Sequence, residues 1–173
     1  MTMKKILALL CGVMAFSMSY AATPENNSSI NVGDNYIDIE LATANGEVVA
    51  VSDLLAEGKW VLIDFWATWC GPCRAEIPHL VAAYEKFAPK GFEIYGVSLC
   101  GPGREEAWKS FVKENNMTWI NVWGYNDKRQ CPAAEAYGVE YIPSNYLVSP
   151  NGKIVAIGLR GEDIENVLAK YMN

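Results

Sequence analysis

The sequence predicts an α/β fold: a mixed central sheet flanked by helices, with a β-hairpin extension at its N-terminal side. Three observations predict it. The apolar run Val61–Trp66 is short and bounded, as a buried strand is. It leads through Cys70-Gly71-Pro72-Cys73 into Ile77, Leu80, Val81, Tyr84 and Ala88, which are apolar at helical spacing. Beyond them the order strand–helix–strand–helix, then strand–strand–helix, suits a mixed sheet covered on both faces.

Each element has its own signal. Tyr36–Leu41 alternates with period two, and Asn45-Gly46 turns it into a second short strand, Glu47–Val51. Ser52 is placed to cap a helical turn through Leu55. Val61–Trp66 is the central strand, and a helix runs from about Cys73 to Phe87 with Pro78 inside it. Phe92–Ser98 is the next strand, and Gly101-Pro102-Gly103 a loop. Arg104–Asn115 is a helix with Trp108, Phe111 and Val112 on one face and a Glu105–Lys109 pair on the other. Trp119–Trp123 reads as an edge strand, Asp127–Gln130 as a charged loop and Pro132–Tyr137 as a short helix opened by proline. Ile142–Val148 and Lys153–Ile157 form a hairpin about Asn151-Gly152. Gly161–Tyr171 is a last helix, with Ile164, Val167, Leu168 and Tyr171 inward and acids in its first turn.

The chain has 173 residues, 51% of them hydrophobic, which suits one domain with an ample core. Lys4 and Lys5, the apolar stretch Ile6–Phe16 and the small residues before Ala22 read as a secretory signal peptide over 1–21. The apolar stretch is shorter than the roughly 20 residues a bilayer needs. Cys11 follows the bulky Leu10, which argues against a lipoprotein anchor. Residues 22–31 are polar and read as a flexible lead, and 32–173 as the domain. Cleavage takes the formal charge from −6 to −8, which argues against a nucleic-acid partner. It leaves four cysteines, Cys70, Cys73, Cys100 and Cys131, in an exported chain that meets an oxidising compartment.

The C-x-x-C pair lies where a strand hands over to a helix. Backbone N–H groups and the positive end of the helix dipole stabilise a thiolate there, and the thiolate is the species that attacks disulfides. Cys70 reads as the nucleophile, its side chain bared by the turn. Cys73 follows one helical turn later, within disulfide reach, and reads as the resolving thiol. A zinc site needs four ligands, a second close pair is absent and His79 is the sole histidine, so no metal and no cofactor is expected. Asp64 sits in an apolar strand, where burial raises a carboxylate's pKa. A carboxylate so raised near Cys73 can take its proton. Glu76, three residues after Cys73 on the helix, can serve the same end. Trp69, Trp66, Phe65 and Trp123 are candidates for an apolar collar. Trp69 directly precedes Cys70 and suits a docking surface, while Trp66 suits the core.

Phe65-Trp66-Ala67-Thr68-Trp69-Cys70-Gly71-Pro72-Cys73 resembles the active-site segment of the thioredoxin superfamily. Val32-Gly33-Asp34, Gly46-Glu47-Val48, Gly58-Lys59-Trp60, Glu76, Pro78, Ile142-Pro143 and Asn151-Gly152-Lys153-Ile154 resemble its TlpA/ResA-type extracytoplasmic thiol–disulfide oxidoreductases. The resemblance covers roughly residues 32–172 and rests on several ordered motifs, which is more specific than a lone C-x-x-C. It implies a thioredoxin fold with an N-terminal hairpin and a thiol–disulfide oxidoreductase. Gly71-Pro72 goes with reducing members, and Ile142-Pro143 with a cis-proline loop that faces the cysteines and binds an extended substrate strand. Trp69, Gly71, Pro72, Ile142 and Pro143 are then the substrate-binding residues. Thioredoxins share the acid at Asp64 and the ResA-type branch shares Glu76, so the division of labour between them stays open.

The signal peptide places the protein in the periplasm, or secreted, and a monomer is expected; the resemblance further implies action on protein disulfides with electrons from a membrane thiol-transfer protein. Cytochrome c maturation and general disulfide reduction are both tasks of such proteins. Cys100 and Cys131 depart from the pattern. They are open to three readings: a second disulfide, two separate thiols or a redox relay. Two rivals have different signatures. A thiol peroxidase of related fold wants a cysteine in a Pro-x-x-x-Thr-x-x-Cys setting, which is absent; a non-catalytic binding module has no need of an intact C-x-x-C.

Overall fold

The computed structural model describes residues 30–172, so the expected signal peptide and nearly all of the 22–31 lead lie outside the described residues. The elements in chain order are β1 (Glu40–Ala42), β2 (Val48–Ala50), α1 (Val51–Ala56), β3 (Trp60–Trp66) and α2 (Gly71–Phe87). After a 3₁₀ turn at Ala88–Lys90 come β4 (Phe92–Ser98), α3 (Glu105–Glu114), β5 (Ile120–Trp123) and α4 (Pro132–Ala136). The chain closes with β6 (Ser144–Val148), β7 (Ile154–Ile157) and α5 (Glu162–Tyr171).

Five strands form one sheet in the order β5-β4-β3-β6-β7. The central strand, β3, is parallel to β4 and antiparallel to β6; β4 is parallel to β5, and β6 antiparallel to β7. This is the expected mixed sheet, here in the thioredoxin fold. Every residue of β3 from Val61 to Trp66 is buried, because a central strand covered on both faces has no solvent side. Its alternation sorts the core. Leu62 and Trp66 join Ile77 and Leu80 of α2, Trp108 of α3, and Ile164 and Leu168 of α5. Val61, Ile63 and Phe65 join Leu54 and Leu55 of α1 and Ala133 of α4. By the same period of two, Asp64 lies on the face that carries α2.

The N-terminal hairpin forms a separate two-stranded sheet, with Leu41 opposite Val49 and Gly46 at the tip in the left-handed region (φ 82°). Its first strand is shorter and later than the alternation of Tyr36–Leu41 predicts. The backbone before Glu40 is committed elsewhere. Tyr36 N–H donates to the Gly152 carbonyl, and the Tyr137 hydroxyl both accepts from Ile37 N–H (3.1 Å) and donates to its carbonyl (2.7 Å).

Other expectations are corrected. Ser52 lies inside α1, and the helix start is satisfied by carboxylates: Asp38 accepts the Ser52 N–H at 2.9 Å, and Asp53 the Ala50 N–H at 3.4 Å. Lys109 pairs with Glu106 at 2.9 Å, while Glu105 accepts the Gly103 N–H. Tyr171 does not turn inward; it is 40% exposed and stacks on Trp60 with ring centroids 5.0 Å apart.

Candidate active site

The parallel strands β3 and β4 end at the same edge of the sheet, and the chain leaves β3 through Ala67–Trp69 into α2. Cys70 is the residue flanking that helix, in extended conformation, and Gly71-Pro72 open it. A proline there sacrifices nothing, since first-turn N–H groups have no intrahelical partner. Of these orphan donors, the Cys73 N–H points at Cys70 Sγ, 3.1 Å away. The helix start thus presents a donor and a positive dipole to the sulfur, the arrangement that favours a thiolate once the pair is reduced. In this structure the pair is oxidised: Cys70 and Cys73 form a disulfide, with Cα atoms 5.3 Å apart.

Cys70 is not bared by the turn, as expected from the sequence, but only 5% exposed. What covers it is the loop before β6. The Ile142–Pro143 peptide bond is cis, and the Ile142 carbonyl oxygen lies 3.7 Å from Cys70 Sγ. A groove of about 410 Å³ runs beside this contact, lined by Trp69, Leu99, Tyr125 and Val139–Ile142. Trp69 (59% exposed) and Tyr141 (74%) present large apolar surface at its mouth. Trp66 belongs to the core, as expected, and Phe65 joins the core rather than the collar. Trp123 does not line the groove; its ring packs against Trp108 and against the groove residue Tyr125, with centroids 5.3 and 6.2 Å apart.

Asp64, in β3 on the face that carries α2, is 4% exposed. Burial pushes its carboxyl pKa up from 3.8 to about 7; the Arg160 charge and the Asn145 side chain pull it down, and Glu76 adds to the rise. Asn145 is its cross-strand partner in the β3–β6 ladder. Glu76, the second acid singled out from the sequence, is engaged: its Oε2 accepts the backbone N–H of Gly161, at the start of α5, at 2.7 Å. Arg160 and Asn145 are the site residues that sequence reasoning missed. For Asn145 a signal existed, an amide in strand Ser144–Val148 directly before the apolar run Tyr146–Val148, the same kind of signal that singled out Asp64. For Arg160 there was none, because a lone arginine in a glycine-rich connection is ordinary.

Cys100 and Cys131 are separate buried thiols, so the second disulfide is not formed. They belong to different buried clusters, Cys100 with the α2 side of the sheet and Cys131 with the α1 side. Cys100 Sγ accepts the Thr68 N–H at 3.3 Å and lies 3.5 Å from the Thr68 hydroxyl. Burial pushes the Cys131 thiol pKa up.

Comparison with known proteins agrees with this geometry. Residues 32–157 match the AhpC/TSA family. The thiol-disulfide oxidoreductase ResA of Oceanobacillus iheyensis is 33% identical over 172 residues, spanning 97% of this chain and 84% of the relative. That of Bacillus subtilis is 31% identical, spanning 97% and 88%. Among solved structures, the thioredoxin domain of a thiol-disulfide oxidoreductase from Bacteroides vulgatus superposes with a TM-score of 0.76 at 38% identity, covering 84% of this chain and all of that one. A thiol:disulfide interchange protein from Bacteroides sp. gives 0.75 at 38% identity, covering 84% and 92%. With its redox-ready cysteine pair on a thioredoxin fold, the chain belongs to the AhpC/TSA family and is a thiol–disulfide oxidoreductase of the ResA-like kind.

Proposed function

We propose that this oxidoreductase reduces protein disulfides outside the cytoplasm. One observation carries the reading: Cys70 Sγ sits at the N-terminus of α2, receiving the Cys73 N–H and facing the Ile142 carbonyl. In the reduced enzyme the Cys70 thiolate attacks a sulfur of the substrate disulfide. The substrate S–S bond breaks, one substrate sulfur leaves as thiolate, and a mixed disulfide with Cys70 forms. Asp64 then takes the Cys73 thiol proton. The Cys73 thiolate attacks Cys70 Sγ, the second substrate sulfur leaves and is protonated, and the Cys70–Cys73 disulfide is restored. Two electrons have passed to the substrate. Asp64 is the better base because its pKa of about 7 is matched to neutral pH, whereas Glu76 is spent on Gly161. Trp69, Gly71, Pro72 and Ile142 form the docking surface, with Pro143 buried behind it and the carbonyl of Ile142 offered to an extended peptide.

The reducing direction is supported by Gly71-Pro72 between the cysteines, and export by the signal-peptide pattern read from the sequence of 1–21. Electrons come from a membrane thiol-transfer protein, and the enzyme acts as a monomer on protein substrates, in cytochrome c maturation or general disulfide reduction. Insulin reduction with dithiothreitol as donor, run beside a peroxide-consumption assay, tests the reading. Turnover of insulin without peroxide consumption supports it; peroxide consumption alone points to a thiol peroxidase, and neither activity to a binding module.

A further inference from the structure

One charged side chain outside the cysteines and carboxylates reaches two parts of the site. Arg160 lies in the connection between β7 and α5, where its Nη2 donates to the Pro143 carbonyl and its Nη1 to the Leu159 carbonyl at 2.6 Å. The neighbours of Arg160 are fastened as well. Leu159 exchanges two hydrogen bonds with Asn145, donating its N–H to Oδ1 at 2.8 Å and accepting from Nδ2 at 3.0 Å. Gly161 donates to Glu76 at 2.7 Å. Three consecutive residues thus tie β6, the loop before it and α2 together around Asp64.

We propose that Arg160 is a positioning residue for disulfide exchange, holding the loop whose Ile142 carbonyl faces Cys70 while setting a permanent positive charge against Asp64. The proposal rests on the role given to Asp64 above. Arginine suits both tasks, because its planar fork serves two carbonyls at once and it does not deprotonate. The groups acting on Asp64 are few. Glu76 faces it from α2, Arg160 from the β7–α5 connection and the neutral Asn145 from β6, and its partner in β4 is Gly96. With the Arg160 charge removed, Glu76 is left as the acting charge, the carboxyl holds its proton to higher pH, and less base is present at neutrality.

The test compares Arg160→Met and Arg160→Lys in the full chain, each checked for folding by near-ultraviolet circular dichroism. A peptide disulfide is the substrate. Stopped-flow release of its second thiol across neutral pH gives the inflection for resolution by Cys73, and steady-state turnover gives kcat and KM. An Asp64→Asn control, which should lack the inflection, ties it to that carboxyl. In Arg160→Met the inflection is expected to move up by on the order of one pH unit, and KM to rise severalfold as the loop loosens. In Arg160→Lys the charge remains, so the inflection stays near wild type, yet KM rises because a single ammonium cannot replace the fork. If Arg160→Met does not fold, Arg160→Gln provides the uncharged comparison. An unmoved inflection in the uncharged variant, or a lysine variant shifted as far as it, overturns the proposal. A wild-type chain with no exchange activity would overturn the proposed function itself, so the two failures are distinguishable.

Discussion

Glu76 and Gly161 are joined by a 2.7 Å hydrogen bond from backbone N–H to carboxylate, which fastens the helix bearing the redox cysteines to the start of the last helix. A charged acceptor on a partly buried N–H is worth about 1–3 kcal/mol. Glu76→Ala is therefore expected to lower stability by that amount in urea denaturation of the oxidised protein. Glu76→Gln keeps an acceptor and should cost less. A Glu76→Ala variant as stable as wild type would show that the bond contributes nothing.

Asp64 makes the folded protein prefer acid. Its carboxyl pKa is about 7 in the folded chain and near 3.8 when unfolded. Below about pH 4 it is protonated in both states and costs nothing. As pH rises towards 7 the unfolded chain releases the proton while the folded chain retains it, so stability falls, and above 7 the full cost is present. That cost is on the order of 4 kcal/mol at most. Asp64→Asn should match wild type near pH 4 and exceed it near pH 8. Denaturation curves with the same pH slope in both proteins would refute the assignment.

Cys70 should be the acidic thiol. After reduction, its alkylation by iodoacetamide is expected to persist well below the ~8.5 pKa of an ordinary cysteine, because the Cys73 N–H and the helix dipole favour the anion. Cys73→Ala should preserve that reactivity and accumulate a mixed disulfide with substrate, detectable by mass spectrometry. An alkylation profile centred on the ordinary value would contradict the geometry.

Gly124 admits no side chain. A Cβ there would come within 2.7 Å of the Ser98 carbonyl oxygen and 3.0 Å of Cys131 Sγ. The carbonyl belongs to the sheet and cannot yield, and Ser98 O already accepts the Gly124 N–H at 3.1 Å. Gly124→Ala is expected to destabilise by about 1–3 kcal/mol through overpacking. Thermal melts against wild type check this, and an unchanged midpoint would mean that the strand end shifts freely.

Cys100 and Cys131 should both be unreactive towards Ellman's reagent in the folded oxidised protein, since both are buried. Unfolding without reductant should make both alkylatable, whereas Cys70 and Cys73 stay protected as their disulfide. Tryptic peptides in which Cys100 and Cys131 are linked would contradict the structure.

The amino-acid order alone determined the elements, their succession and the redox pair. Val61–Trp66, the C-x-x-C and the helical spacing after it carry local signals that survive without neighbours: continuous apolarity for a strand covered twice, a proline that tolerates a first helical turn, and alternating hydrophobicity elsewhere. Asp64 was legible for the same reason, a charge where the pattern allows none. Tertiary structure alone decided what crosses the sheet or bridges distant segments. The hairpin begins late because the Tyr137 hydroxyl, a hundred residues away, claims the backbone of Ile37. Glu76 is tied to Gly161, Arg160 reaches the Pro143 carbonyl, and Cys100 and Cys131 fall into separate clusters. None of these partners is set by spacing along the chain. Each depends on how loops at the ends of strands meet, and loop ends meet only after the sheet has brought them together.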